Sequence, residues 1–366
     1  MRGFCSLCAV VICAASMVVA VSGCGQKKSN SSEVELPAWM TDGDQAQGSS
    51  TVPVRLASAS PSAYLGLNLK PGDQFPLRKV VQQELTQNSL TGTPQQNFSR
   101  LEMLLAVHVR EKRDDRTHLS VRYDRIKYEH QVADEKVTFD STTSGEHVSV
   151  GVVAYRDMIN DGFSFWIGED NQIVEVDGLS EFLSRALRNV PPDQRENVVL
   201  GMEAGSGDSG IANFVDNTIG LLPYGRKTSP GDSWERQHQI TRPLQMHVNN
   251  TYTLKDLTDN MAVIDIRGTI SPSTSLRNLE APDVQVIVNG GSTLGSCTIY
   301  RETGLPKESR IDRVVDMTVV MSNAIQFRQS KRVTTIIESF PPASTSAPKV
   351  VGGERGGVIQ QVSGSR

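Results

Sequence analysis

Ser229-Pro230-Gly231-Asp232-Ser233-Trp234 is the stretch that decides the fold, because the chain holds a near copy of it at Lys70-Pro71-Gly72-Asp73-Gln74-Phe75. Both copies read Pro-Gly-Asp-x-aromatic. Pro and Gly favour a turn, the Asp side chain can accept hydrogen bonds from nearby backbone N–H groups, and the aromatic residue opens an extended run. The repetition predicts two related β units with a different segment between them.

Residues after each copy alternate with a period of two, which is typical of half-buried strands. In the first unit Phe75, Leu77, Val81 and Leu85 share one face. The second unit has the same pattern, with 284–288 and 294–300 expected as separate strands and later strands that reach residue 338. Such alternation predicts antiparallel sheets with one dry and one wet face.

Between the units the period changes to about 3.6, which indicates helices. One is expected to begin near Ser180 and to stop before Pro191, a second to follow and end at about Met202, and the clearest to run from Ile211 to Leu222. Their apolar stripes need a large partner, and the sheet supplies it. We therefore predict an α+β fold: a large curved antiparallel sheet, an open half-barrel of two related β units, with the helices packed on its concave face.

The N-terminus predicts export. A basic start and an uncharged apolar run from Phe4 to Val21 read as a signal peptide. The run ends in Val21-Ser22-Gly23-Cys24, which resembles the lipobox of bacterial lipoproteins. An ordinary signal peptide and a helix retained in the membrane remain the alternatives.

The lipobox resemblance implies cleavage between Gly23 and Cys24 and acylation of the Cys24 sulfur. Several acyl chains give stable anchoring, because each buried CH₂ contributes about 0.8 kcal/mol. The bilayer is then the first partner of the protein. Gly25-Gln26 lacks an Asp that resembles an inner-membrane retention signal, which favours the outer membrane, facing the periplasm.

Changes in composition along the chain indicate the boundaries of its segments. We predict a signal peptide at 1–23, a flexible tether at 24–63, the first β unit at 64–178, a helical insertion at 179–222, the second β unit at 223–340 and a disordered tail at 341–366. After processing and acylation only Cys297 remains as a thiol, so no internal disulfide is expected. The net charge of −4, without a basic stripe, disfavours a nucleic-acid partner.

Motifs that carry chemistry are weak. Gly207-Asp208-Ser209-Gly210 resembles the nucleophile motif of trypsin-like serine proteases, but it continues Ile211-Ala212 and fits a helix N-cap better. The histidines lack metal-ligand spacing, and Cys297 suits packing rather than nucleophilic attack. We therefore expect no catalytic residues, no metal and no cofactor.

Three short motifs carry a family resemblance: the Gly-Asp-x-Trp start at Gly231, the Tyr-x-Leu hairpin at Tyr252, and the Thr-Gly-Leu-Pro turn at Thr303. Together they resemble a family of bacterial lipoproteins with a domain of unknown function, which would cover about residues 64–340. The architecture is also similar to the LolA-like and LppX-like lipoprotein-carrier folds, which hold acyl chains between sheet and helices. Fold alone does not imply function.

The favoured function is binding of a lipid or other amphiphile in a groove between sheet and helices. The alternative is a structural or interaction protein of the cell envelope without a ligand, and an enzyme is the least favoured reading. An ordinary packed core would explain the same apolar residues. The candidate groove lining is Phe182, Leu187, Phe214, Ile219 and Leu222.

Overall fold

One antiparallel sheet of thirteen strands dominates the fold. The computed structural model describes residues 62–88, 94–133, 135–143, 145, 148–202, 215, 218–240, 245–272, 276–277, 284–321 and 325–340. Its strands are β1 (Ala63–Tyr64), β2 (Gln74–Gln87), β3 (Gln95–Arg113), β4 (Arg116–Val132), β5 (Glu135–Asp140), β6 (Gly162–Gly168), β7 (Ile173–Asp177), β8 (Lys227–Thr228), β9 (Ser233–Ile240), β10 (Met246–Leu257), β11 (Met261–Ser271), β12 (Leu276–Arg277), β13 (Val284–Tyr300), β14 (Pro306–Met321) and β15 (Gln326–Ser339). The helices are α1 (Val150–Asp157), α2 (Leu179–Ala186) and α3 (Arg195–Gly201), the last preceded by a 3₁₀ turn at Pro192–Gln194.

Both copies of the Pro-Gly-Asp motif turn the chain in the same way. Gly72 and Gly231 have φ angles of 92° and 95°, which suit glycine because it has no Cβ. In each copy Oδ2 of the Asp accepts the backbone N–H of the residue three positions earlier, at 2.8 Å in the first and 2.7 Å in the second. The turn chemistry predicted from the sequence is confirmed at both places.

Each turn is also fixed to a strand of its own unit. The N–H of Gly72 donates to the carbonyl of Val109 at 2.8 Å, and the N–H of Gly231 donates to the carbonyl of Leu254 at 2.7 Å. Return bonds of 2.9 Å run from Val109 and Leu254 to the carbonyls of the two motif Asp residues. A β-bulge follows Val109 in β3 and Leu254 in β10. The two units are therefore related in hydrogen bonding as well as in sequence.

The strand order joins the two units into one sheet. Strands β7, β6, β4, β3 and β2 form one half, and β15, β14, β13, β11, β10 and β9 continue it, because β15 pairs with β2. Every pairing between these strands is antiparallel. β7 and β9 are the edges, so the sheet is open, as the predicted half-barrel requires.

Two local predictions were wrong. Residues 284–300 form the single strand β13 rather than two strands, because Gly290, with φ of 143°, produces a bulge after Val288 instead of a turn. The helix expected to reach Leu222 ends earlier. Its described part is helical at Val215 and forms turns over 218–221, where the N–H of Gly220 bonds to the carbonyl of Val215 at 2.8 Å.

The helices pack on the concave face of the first unit. Val152 and Ala154 of α1 are 2% and 0% exposed and lie in one cluster with Leu101 and Ile126 of the sheet. α1 also contacts α2, and α2 contacts β6. In the part of the chain that the structure describes, no helix has both the length and the hydropathy that crossing a bilayer needs.

Candidate functional site: a polar belt on the concave face

Four of the five predicted groove residues lie in apolar clusters. Phe182 is 0% exposed, and its ring stacks on Tyr123 with centroids 5.4 Å apart and meets Phe163 at 5.6 Å. Leu187 packs, partly buried, against the same cluster, and Ile219 belongs to it. Phe182 is therefore enclosed by protein side chains.

Leu222 lies in a different cluster, formed by the second unit. It is 0% exposed, and the neighbouring carbonyl of Leu221 accepts the indole N–H of Trp234 at 2.9 Å. Phe214 lies outside the described residues. A groove lined by the five predicted residues stays a prediction, and the geometry draws attention to the other half of the concave face.

Two apolar clusters occupy the concave face of the second unit. The cluster near the Pro-Gly-Asp turns, which we name the motif-end cluster, contains Trp234, Tyr252, Leu254, Ile264, Ile266, Cys297, Ile299 and Ile311 among others. The cluster at the opposite strand ends, the far-end cluster, contains Leu85, Met246, Val248, Ile270, Val286, Val288, Val315, Met317, Val319 and Phe327. Because both clusters lie on the same strands, the residues between them on those strands must separate them.

A row of mostly polar residues runs between the two clusters. The row follows the register of neighbouring strands from β4 to β9, and we name it the polar belt. Its members, in spatial order, are His130, Ser99, Gln83, Val333, Arg313, Thr293, Gly268, Asn250 and Arg236. The concave side of the sheet is therefore amphiphilic, with an apolar cluster on each side of the belt.

The central part of the belt is buried. Thr293 is 0% exposed, Asn250 is 4% exposed and Arg313 is 9% exposed. The amide nitrogen of Asn250 donates to the hydroxyl of Tyr252 at 3.3 Å, but Oδ1 of Asn250 and Oγ1 of Thr293 have no hydrogen-bond partner among the described residues. A buried polar atom left in this state costs about 1–3 kcal/mol. These atoms therefore call for a water molecule or a ligand.

Gly268 makes room for the belt. A Cβ at this position would lie 2.0 Å from Oδ1 of Asn250 and 2.9 Å from the carbonyl oxygen of Asn249. Any other residue would displace the Asn250 amide. The glycine thus lets Asn250 lie flat over the neighbouring strand.

The concave face of this half of the sheet carries cations without carboxylates. Lys79, Arg236, Arg313 and Lys331 occupy concave positions on β2, β9, β14 and β15. On β2, β9–β11 and β13–β15, the Asp and Glu residues alternate onto the convex face; they are Glu84, Glu235, Asp256, Asp265, Glu308, Asp312, Asp316 and Glu338. The concave positions of these strands therefore carry positive charge only, whereas the convex positions carry both signs, as in the ion pairs Arg78–Glu338 and Arg310–Asp312.

These cations differ in how they are held. Arg236 donates to the carbonyls of Leu222 and Asp170, at 2.8 Å and 3.0 Å, and so connects the edge strand β9 to the β6–β7 turn. Lys331 is half-buried, and its side chain makes no hydrogen bond or ion pair within the described ranges. It faces Val315, so it is the diagonal neighbour of Arg313 on the next strand.

Two histidines on the concave face are held neutral. Burial, and then the charge of Arg313, lower the pKa of His238 to about 4. Burial also lowers the pKa of His130, a belt member. Arg313 lies on β14 and His238 on β9, with three strands between them in the sheet order, so the charge of Arg313 acts on His238 from a distant strand.

We expect His238 to make the protein sensitive to acid. The unfolded imidazole takes up a proton near pH 6.5, while the folded one does so near pH 4. Lowering the pH across this window therefore favours the unfolded state, by about 3 kcal/mol in total. His238→Gln should lose less stability than the unsubstituted protein between pH 7 and pH 4 in urea unfolding. An imidazole that titrates near pH 6.5 in the folded protein, measured by NMR, would contradict this.

A second concavity, of about 690 Å³, is lined by residues of β3, β4, β6 and α2. At one end the ring of His118 stacks on Trp166 at 4.5 Å, and Nε2 of His118 lies 3.7 Å from Oδ2 of Asp177. At the other end Arg185 makes two hydrogen bonds to the carboxylate of Asp161, at 2.6 Å and 2.8 Å. The Asp161–Arg185 pair connects the start of β6 to α2, which favours a structural role for this end of the concavity.

Within the described parts of the chain, the other sequence candidates are not grouped into a reactive centre. Cys297 is 0% exposed, and burial raises the pKa of its thiol to about 12. No three His, Cys, Asp or Glu side chains are grouped for a metal ion within the residues that the structure describes. Gly207 to Gly210 lies outside those residues, as does Cys24.

Sequence reasoning missed the belt, although a signal was present. Arg313 has the same parity as Ile311 and Val315 in β14, and Lys79 has the same parity as Leu77 and Val81 in β2. A cation at a position that the alternation assigns to the apolar face indicates a polar site on that face. The register that aligns these positions across the sheet comes from pairings far apart in sequence.

Comparisons with solved structures give low similarity. Lipovitellin, from a study of its lipid-protein interactions, is 12% identical with a TM-score of 0.40, over 76% of this chain and 26% of that chain. An outer membrane channel from Pseudomonas putida F1 is 8% identical with a TM-score of 0.17, over 79% of this chain and all of that one. This chain thus spans about a quarter of the length of lipovitellin. These likenesses carry no argument about function, and no curated protein matches the sequence.

A family match covers residues 114–306 of the 366, which is more than half of the chain and extends from the β3–β4 turn to the start of β14. It includes the Gly-Asp-x-Trp motif, the third helical segment and the second-unit part of the belt up to β13. The chain belongs to DUF6263, a family of unknown function.

Proposed function

We propose that the protein is a lipoprotein of the bacterial envelope that holds an amphiphile on the concave face of its second unit. One observation carries the proposal: a polar belt separates two apolar clusters on the same concave surface. A molecule with a polar head and an apolar tail could place its head on the belt and its tail on one of the clusters. Ligand sites combine mainly apolar walls with a few placed polar groups.

The far-end cluster suits an apolar tail. It contains Met246 and Met317, and Ile240, Met321 and Ile325 pack against it only partly buried. Methionine adapts to irregular shapes because its side chain is flexible and polarisable. The cluster can therefore repack around an inserted chain at modest cost.

Native mass spectrometry tests the binding. The full-length protein is extracted from membranes in mild detergent and transferred to the gas phase. We expect a population with the added mass of one lipid, which is lost on collisional activation. A protein that shows only its own mass, and takes up no lipid from added vesicles of an envelope extract, would contradict amphiphile binding and favour an envelope interaction protein.

The anchoring part of the proposal depends on Cys24. Cys24→Ala should remove labelled palmitate from the exported protein and should abolish anchoring through acyl chains, because each CH₂ that no longer enters the bilayer forfeits about 0.8 kcal/mol. Cys297→Ala is the matched control and should keep both the label and the membrane fractionation. Palmitate that remains on the Cys24→Ala protein would overturn the lipid anchor.

A further inference from the structure

We propose that the amphiphile carries an anionic head group, a carboxylate or a phosphate ester, which lies in the polar belt beside Arg313 and Lys331. This inference rests on the proposed function and names the chemical class of its ligand. The contacts would be the Arg313 guanidinium, the Lys331 ammonium and the Thr293 hydroxyl, which come from β14, β15 and β13.

The charge distribution is the first argument. The concave positions of β2, β9–β11 and β13–β15 hold four cations and no carboxylate. The side chain of Lys331 makes no ion pair or hydrogen bond within the described residues. The Lys331 ammonium and the Arg313 guanidinium are on diagonal neighbours of adjacent strands, so their charges repel each other. An anionic ligand would offset this repulsion and neutralise Lys331.

The unpartnered polar atoms are the second argument. Thr293 is directly opposite Arg313 in the β13–β14 register, and its buried Oγ1 has no hydrogen-bond partner in the described chain. A hydroxyl can donate to an oxyanion. Nε2 of His238, one register row away, is also buried without a partner. These groups lie near Arg313, where a head group would be held.

The choice of carboxylate or phosphate follows from the donor set. A guanidinium offers a planar fork that matches two oxygens of either group, and an ammonium adds a compact charge. An uncharged alcohol would give the Lys331 ammonium no counter-charge. The affinity of the belt for a ligand should therefore depend more on the charge of the head group than on the length of the tail.

The test compares head groups on one tail. Octanoate, octyl phosphate and 1-octanol are titrated calorimetrically into the full-length protein in nanodiscs, with empty nanodiscs as the blank. We expect both anions to bind at least about tenfold more tightly than the alcohol, since a hydrogen bond to a charged group contributes that much or more. The tighter of the two anions identifies the head group.

Two variants locate the effect. Lys331→Met keeps side-chain length, and it should weaken both anions about tenfold while leaving 1-octanol unchanged. Arg332→Met, exposed on the convex face of the same strand, is the matched control and should change nothing. Arg313→Met should weaken the anions further, with Arg310→Met as its convex control. Because Arg313 is buried, Lys331→Met keeps the test valid if Arg313→Met does not fold.

The two proposals fail in different ways. Equal affinity for the acid, the phosphate and the alcohol, unchanged in Lys331→Met, would overturn the anionic head group and leave amphiphile binding in place. Weakening by Arg332→Met as large as that by Lys331→Met would also overturn it. No heat of binding for any of the three probes would overturn the proposed function itself.

Discussion

Phe182→Ala is expected to lower the free energy of unfolding by about 3–5 kcal/mol. Phe182 is fully buried, with its ring against Tyr123 at 5.4 Å and Phe163 at 5.6 Å. Truncation removes the transfer free energy of the ring and leaves a cavity between α2 and the sheet. Urea unfolding followed by circular dichroism measures the change.

Phe340→Ala is the matched control for this prediction, because Phe340 is 47% exposed at the end of β15. Its loss should cost well under about 1 kcal/mol. If the two substitutions cost the same, Phe182 does not lie in a packed core, and the groove between sheet and helices regains its place as the ligand site. A large difference is the result that a packed core between sheet and helices requires.

Local patterns of the sequence were enough to predict most strands. Alternation placed Phe75, Leu77, Val81 and Leu85 on the buried face of β2, and the repeated motif predicted two turns whose Asp side chains make equivalent bonds at 2.8 Å and 2.7 Å. These features depend on a few neighbouring residues. They can therefore be predicted from a short segment of the sequence.

The sheet order and the belt depend on distant residues. Pairing of β15 with β2 brings Val333 opposite Gln83, although 250 positions separate them. Only the strand register places Thr293 and Asn250 in one row with Arg313, and the residues next to them in the sequence do not indicate it. Alternation alone gives each strand two faces, and only the pairing shows which positions meet.

The bulge at Gly290 shows a related limit. A glycine pair between two apolar runs is typical of a turn, yet here the strand continues because both sides find partners on β14. Hydrogen bonds along a long neighbouring strand outweigh a local preference for a turn. The misplaced break at 289–293 thus has a non-local cause.

Gly162→Ala is expected to lower the free energy of unfolding by about 3 kcal/mol, which is large for one methyl group. A Cβ at residue 162 would lie 1.8 Å from the carbonyl oxygen of Val121 and 3.0 Å from Cα of Arg122. These are backbone atoms of β4, so no side-chain rotation can relieve the clash. The start of β6 must move away from β4.

That movement would also break the contacts that hold α2 on the sheet. The N–H of Gly162 donates to Oδ1 of Asp161 at 2.7 Å, and the same carboxylate binds Arg185 of α2. Gly151→Ala is the control, since nothing lies within 4 Å of its Cβ in α1, and it should raise stability by about 0.5–1 kcal/mol. Thermal unfolding of both variants checks the pair. A Gly162→Ala protein as stable as Gly151→Ala would mean that β6 does not lie against β4 as closely as the structure requires.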